Sequence, residues 1–377
     1  EIFDLHLDGF TRGRLAGAPF RADGRMDLAA GQAPRLDLTA SLGSLAADEV
    51  LRFLPVGVMD PRLVDWLDRA IAGGTMQAAS LRWSGPVDQW PDGEGPRRFD
   101  LRARVDDVAF RFQRDWPRLT ALSGALRFRD RGMTINVDAG RIGATRLRTA
   151  RARIDDLFRP RLRVDGEFEG TLAGMQAVVE RSPLLASTAR LEPLEWQGAG
   201  DLSLGLYFPF AGRPMTLDGR LSLDGAALAI RGVDGTLEAI NGEVTFDRQG
   251  VAASGLRARW ADRPIVATAE TEGEGDDAMI RVQADTRMAL AEWPGMAAMA
   301  DRTEGTAAWR LRWERHGFQA ADPAVPGERL LIRSSLEGIA MDWPLALGKT
   351  AGSLAPVRVE WRDTGSGEPR WRLDYDD

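Results

Sequence analysis

The sequence predicts a mostly β protein, a half-wet antiparallel sheet with a few short helices set between its strands. Three observations lead there. Period-2 alternation of apolar and charged residues recurs along most of the chain. Turn signals fall at intervals of roughly eight to fourteen residues, the spacing of all-β proteins. One segment repeats the apolar pattern of another at a fixed offset.

Composition bounds the function before any motif does. With 377 residues, 44% of them hydrophobic, the chain can bury a core and is long enough for two or three domains or one array. A net charge of −7 leaves no basic footprint for nucleic acid. There is no cysteine, which excludes disulfides, zinc–thiolate sites and cysteine nucleophiles. Lys349 is the sole lysine, so nearly all the positive charge is arginine. No run reaches the roughly 18 apolar residues of a membrane-spanning helix. The chain opens inside an alternating pattern at Ile2-Phe3-Asp4-Leu5 and closes on Trp371-Arg372-Leu373, which suggests a segment of a longer protein.

In chain order, residues 1–50 read as short strands, with Leu36, Leu38, Ala40 and Leu42 on one face. Next comes the clearest helix. Asp60 suits the cap, Pro61 the first turn and Gly73 the end, while Leu63, Trp66, Leu67 and Ile71 form one apolar stripe. Phe99–Val105 then alternates strictly, setting Phe99, Leu101, Ala103 and Val105 against Asp100, Arg102 and Arg104. Phe110-Arg111-Phe112, Leu126-Arg127-Phe128, Ile135-Asn136-Val137 and Arg148–Ile154 continue the pattern. Arginines outside and aliphatic or aromatic residues inside describe a sheet with one wet face. Further helices are expected over Leu172–Arg181 and Thr286–Ala300, the latter divided by Trp293-Pro294. The four Trp-Pro dipeptides, at 90, 116, 293 and 343, mark strand ends or edges, and six Asp-Gly dipeptides read as tight turns.

The internal repeat has an offset of 118 residues, from Gly124 to Gly242. At that offset Val105 meets Leu223, Phe110 meets Leu228, Phe112 meets Ile230, Leu126 meets Val244 and Phe128 meets Phe246. A β-sandwich core and an open array both satisfy the alternation; the repetition favours the array.

Catalytic constellations are missing. His6 and His316 are far apart and lack ligand-spaced neighbours, and Asp106-Asp107 and Asp155-Asp156 sit where turns are expected. No phosphate-binding or dinucleotide fingerprint occurs. The expectation is no enzyme, no catalytic residue, no cofactor and no metal.

Leu54-Pro55, Leu63 through Gly73-Gly74, Trp83-Ser84-Gly85, Phe99 and Trp116-Pro117-Arg118-Leu119 resemble the YhdP proteins of Gram-negative bacteria, in the wider AsmA-like group. So do Ser182-Pro183-Leu184, Gly198, Gly219, Leu237, Gly242-Glu243-Val244-Thr245-Phe246 and Gly250, and then Leu336-Glu337-Gly338-Ile339, Pro344-Leu345 and Lys349. Each motif is loose; their order and spacing carry the resemblance, from about residue 50 onward. It implies an elongated, strongly curved antiparallel sheet whose apolar inside is a groove, the repeating β-groove or taco. It also implies phospholipid transport through the periplasm between inner and outer membranes. The implied partners are phospholipid and the rest of a longer chain that includes an N-terminal inner-membrane helix.

On this reading, residues 1–52 end an upstream groove segment and 53–74 form a helical insertion. Residues 75–195 and 196–284 are groove repeats, 285–301 a second helical insertion, and 302–377 the start of a further β segment. The expected groove lining is Leu101, Val105, Phe110, Phe112, Leu126, Phe128, Ile135 and Val137, with Leu223, Leu228, Ile230, Val244 and Phe246 from the repeat. The helix bearing Leu63, Trp66, Leu67 and Ile71 is a possible gate. The competing reading is a structural or interaction β-array of the cell envelope that buries its own apolar face and carries no lipid.

Overall fold

Long strands dominate the computed structural model, which describes residues 5–29, 33–50, 69–86, 98–157, 159–182, 194–209, 214–230, 235–273, 278–293, 295–316, 327–343, 348–363 and 370–375. Twenty-one strands are hydrogen-bonded into one antiparallel sheet, and two more form a separate ladder. The chain divides into two units, Glu1–Glu169 with Ser203–Leu217, and Gly170–Leu202 with Asp218–Asp377.

In the first unit a meander runs through β1 (Leu5–Leu15), β2 (Ala18–Leu28), β3 (Arg35–Leu42), the two-residue β4 (Leu45–Ala46), β5 (Thr75–Pro86), β6 (Arg98–Phe110), β7 (Leu119–Arg129), β8 (Gly132–Ile142), β9 (Thr145–Ile154) and β10 (Leu162–Thr171). β11 (Leu194–Gln197) belongs to the second unit, and β12 (Ala199–Phe208), whose residues from Ser203 onward belong to the first, pairs with β10. The second unit continues with β13 (Thr216–Ile230), β14 (Thr236–Asp247), β15 (Val251–Trp260), β16 (Arg263–Glu272), β17 (Met279–Met288), β18 (Thr303–Gly305), β19 (Ala307–His316), β20 (Glu328–Ser334), β21 (Ile339–Met341), β22 (Val357–Asp363) and β23 (Arg370–Tyr375). Among the described residues β1 pairs only with β2 and β23 only with β22, so the sheet is open rather than a barrel.

Tight two-residue turns join several neighbours. Ala16-Gly17 and Ala261-Asp262 have both central φ angles positive, the conformation that matches the twist of a hairpin. Asp8-Gly9, Asp23-Gly24, Asp165-Gly166, Asp218-Gly219 and Asp224-Gly225, by contrast, lie inside strands, and Asp234 lies outside the described residues. At Asp23-Gly24, Asp165-Gly166 and Asp218-Gly219 the aspartate faces water and the glycine makes room on the apolar side. A Cβ on Gly219 would stand 2.2 Å from the Phe246 ring, and one on Gly166 2.9 Å from Phe168.

The repeat is present in the hydrogen bonding. Val105↔Gly124, Val108↔Leu122 and Phe110↔Leu119 in the first unit match Leu223↔Gly242, Ala226↔Ile240 and Leu228↔Leu237 in the second, each at the offset of 118. Both copies break register at the same places, and positive φ recurs at Asp107 and Gly225 (52° and 66°) and at Ala121 and Ala239 (50° and 49°). Bulges bend a strand and raise its twist, so matching bulges bend neighbouring strands along one line. Side chains pin the bend differently in each copy. Ser123 donates to Asp106 at 2.6 Å, whereas the Asn241 side chain accepts from the Gly225 amide at 3.0 Å.

A second recurring device faces that bend. Gly74, Gly198 and Gly305 have φ of +100°, +95° and +94°. A Cβ there would stand 2.6 Å from the Val108 Cα in the first case and 3.1 Å from the Ala226 Cα in the second. A short backbone pairing precedes Gly74 (Ile71 with Phe110) and Gly198 (β11 with β13), while Gly305 ends β18 and is itself paired with Ile339 of β21. Each is thus a kink through which one strand turns onto the next.

The helices divide these stretches. Leu172–Glu180 is helical as expected, capped by the Thr171 hydroxyl, which accepts from the Gly174 amide at 3.1 Å. Its Leu172 and Met175 pack on Leu223, Ala226 and Ile240 at the bend. The helix expected over 286–300 is corrected: Thr286–Met288 finish β17, and only 3₁₀ turns follow, Leu290–Glu292 and Ala297–Arg302. Alanine and methionine content suggested helix, but Met288 and Trp293 are drawn into a buried cluster with Ala307, Trp309, Leu336, Ile339 and Met341. Of the first expected helix, residues 51–68 lie outside the described residues, and Ile71 takes a β-bridge rather than a helical position.

Candidate functional site: an apolar sheet face

In antiparallel pairs, directly opposed residues share a face. One row across the first unit reads Ala22, Ala40, Leu81, Leu101, Phe128, Met133, Ile154, Leu162. The next reads Phe20, Leu42, Ala79, Ala103, Leu126, Ile135, Ala152, Val164. A third begins Met76, Val105, Gly124, Val137, Ala150. These rows contain no ionisable side chain. In the second unit the corresponding row is Leu221, Val244, Ala253, Ala269, Val282, Trp313, Leu330, Trp361, Trp371. Among the described residues charge enters that face at strand ends and turns, as in the Arg263–Glu292 pair (2.7 Å) and the Arg315–Glu328 pair (3.3 Å).

The expected lining residues fall on this face with three qualifications. Leu101, Val105, Leu126, Phe128, Ile135, Val137, Val244 and Phe246 occupy it and are half-buried. Leu223 is buried at the bend; Phe110 and Leu228 lie just past it and pair with Leu119 and Leu237. Ile230 is placed by its backbone pairing with Leu194. Phe112 is not on a strand. It lies in the turn after β6, where its ring is 6.3 Å from Trp116 and 5.1 Å from Phe208. Of the possible gate, Leu63, Trp66 and Leu67 lie outside the described residues. Trp313, Trp361 and Trp371 also lie on the face, joined to it by cross-strand register, which the sequence does not state, and Phe208 joins it by alternating with the exposed Tyr207.

The opposite face is wet and held by arginine–carboxylate ladders. Asp100 accepts from Arg102 (2.8 Å) and Arg127 (2.7 Å), and these hydrogen bonds hold its carboxyl well below the usual range. In the second unit Arg281 bonds Glu272 and Glu314, Arg329 lies 3.7 Å from Glu314 and 2.7 Å from Glu360, and Arg358 is 3.1 Å from Glu360. Glu314 and Glu360 are buried although they face outward, covered by the arginine stems. The Glu360 carboxyl is lowered, chiefly by its hydrogen bond from Arg362.

Lys349 fastens the tight segment after β20. Its Nζ donates to the carbonyls of Leu336 (2.8 Å) and Ile339 (2.6 Å), and burial lowers its pKa. The recess of about 630 Å³ between Phe10, Asp23, Arg25, Thr39 and Arg82 belongs to the charged face, not to the apolar one. Among the described residues no group of three His, Asp or Glu side chains is placed to hold a metal ion, and no helix is long and apolar enough to cross a membrane.

Comparison with known proteins identifies a family. The family model described as YhdP protein matches residues 13–377. The intermembrane phospholipid transporter YhdP of Escherichia coli (strain K12) is 25% identical over 329 residues, 87% of this chain. The chain spans about a quarter (26%) of that relative's length. No solved structure matches the chain. With the family model covering nearly all of it, the chain belongs to the YhdP family.

Proposed function

We propose that this chain is a segment of a periplasmic, bridge-like lipid transporter, in which phospholipid acyl chains travel along the apolar sheet face from one membrane toward the other. The observation that carries the reading is the ion-free set of rows from Ala22 to Leu162, whose middle residues are half-buried rather than sealed. A closed core would hide those side chains; an open face of this kind suits a sliding apolar ligand.

The energetics favour such a lining. Exposing an acyl chain to water costs about 0.8 kcal/mol per methylene, so on the order of 10 kcal/mol for a whole chain. A continuous greasy path removes that barrier without a specific polar contact, and headgroups can remain in water at the opening. The printed name of the Escherichia coli relative, an intermembrane phospholipid transporter, supports the same reading.

Mass spectrometry of organic extracts from the purified chain, together with uptake of a fluorescent phospholipid, tests it. Bound phospholipid is expected in the wild type and is expected to be lost in Phe128→Glu, which places a carboxylate between Leu101 and Met133. A folded wild-type chain without lipid and without uptake would instead support a self-buried structural module.

A further inference from the structure

The turn between β6 and β7 does more than reverse the chain. Phe112 and Trp116 within it meet Phe208, the last residue of β12, with ring centroids 5.1 and 6.4 Å apart. Sheet order from β6 to β12 runs through β7, β8, β9 and β10, five steps. At about 4.8 Å per step these rings would be more than about 20 Å apart on a flat sheet. Phe208 alternates with the exposed Tyr207, which puts it on the apolar face with Leu204 and Leu206. The turn therefore reaches over that face and touches it farther along.

We propose that Phe112, Trp116 and Phe208 form an aromatic clasp that controls the sideways entry of acyl chains onto the apolar face of the first unit. Closed, the clasp makes lipid thread beneath the turn; parted, it admits a chain from the side. Aromatic contacts suit a reversible closure. They are apolar enough to tolerate lipid on either side, and each ring pair, tilted or edge-to-face, is weak enough to open. The inference rests on the lipid-carrying reading above.

Cysteine chemistry tests it cleanly, because the chain has no cysteine of its own. In Phe112→Cys/Phe208→Cys, a short bismaleimide is expected to join the two positions within one chain. Transfer of fluorescent phosphatidylethanolamine from phosphatidylethanolamine–phosphatidylglycerol vesicles is then expected to slow roughly five- to tenfold relative to the same variant capped with N-ethylmaleimide. A second variant, Phe112→Ala/Trp116→Ala/Phe208→Ala, is expected to take up lipid faster than wild type, with an unchanged circular dichroism spectrum. Equal rates for joined and capped protein would overturn the clasp, as would failure of the two cysteines to join in folded protein. A wild-type chain that takes up no lipid overturns the transport reading and the clasp with it; normal wild-type uptake with equal variant rates overturns the clasp alone.

Discussion

The Phe112 and Phe208 rings lie 5.1 Å apart although the strands that lead to them are five positions apart in the sheet. Only a strongly curled sheet brings them together. If that contact helps hold the curl, the two side chains are energetically coupled. A double-mutant cycle of Phe112→Ala and Phe208→Ala is expected to give a coupling of about 0.5–1.5 kcal/mol in urea unfolding. Strict additivity would mean that the rings meet without supporting each other.

The glycine kinks are expected to be intolerant where the backbone is crowded and tolerant where it is not. Gly74→Ala and Gly198→Ala place a Cβ at φ near +100° and +95°, close to Val108 and Ala226. Each is expected to cost about 1–3 kcal/mol, with Gly74→Ala the worse. Gly225→Asp is expected to be mild, within about 1 kcal/mol. Nothing stands within 4 Å of a Cβ at Gly225, and Asp107 adopts a similar φ at the equivalent place in the other copy. Urea midpoints in the opposite order would remove the kink assignment.

The Glu360 carboxylate is expected to contribute stability that depends on acid. Its folded-state pKa lies below the ordinary glutamate value of 4.5, chiefly because Arg362 donates to it and Arg329 lies beside it. A depressed carboxyl stabilises the fold above its unfolded pKa, and that contribution fades as pH falls from there through the folded value. Glu360→Gln leaves Arg329, Arg358 and Arg362 around an uncharged group and is expected to cost about 2–4 kcal/mol near neutral pH. Its stability should also fall less steeply than wild type below about pH 4.5. Parallel acid profiles for the two proteins would argue against this role.

Lys349→Met removes both charged donors from the Leu336 and Ile339 carbonyls while keeping the apolar stem. About 1.5–3 kcal/mol of local stability is expected to go with each lost charged hydrogen bond. The effect should appear as faster amide exchange at Met341, whose N–H donates to the Lys349 carbonyl at 2.9 Å. Unaltered exchange there would show that the segment is held by its buried Leu336 and Ile339 side chains alone.

Much of the face was legible because alternation is a local property. Phe99, Leu101, Ala103 and Val105 had to share a side of any strand they formed, and they do. The repeat was equally readable, since Gly124 and Gly242 sit at matching registers. Asp23-Gly24 and Asp218-Gly219 misled because the dipeptide suits both a turn and a strand with a wet and a crowded side. Phe112 misled because alternation carried on two residues past the end of the pairing at Phe110.

The amino-acid order alone determined which residues face together, where two copies of a pattern align, and which family the chain resembles. Each depends on neighbours within a few residues or on spacing along the chain. Which strands curl toward one another, and hence that Phe112 meets Phe208 or that Gly74 lies against Val108, was decided only in the tertiary structure. Those contacts depend on bends accumulated at bulges over many strands, and no single stretch of sequence contains that sum.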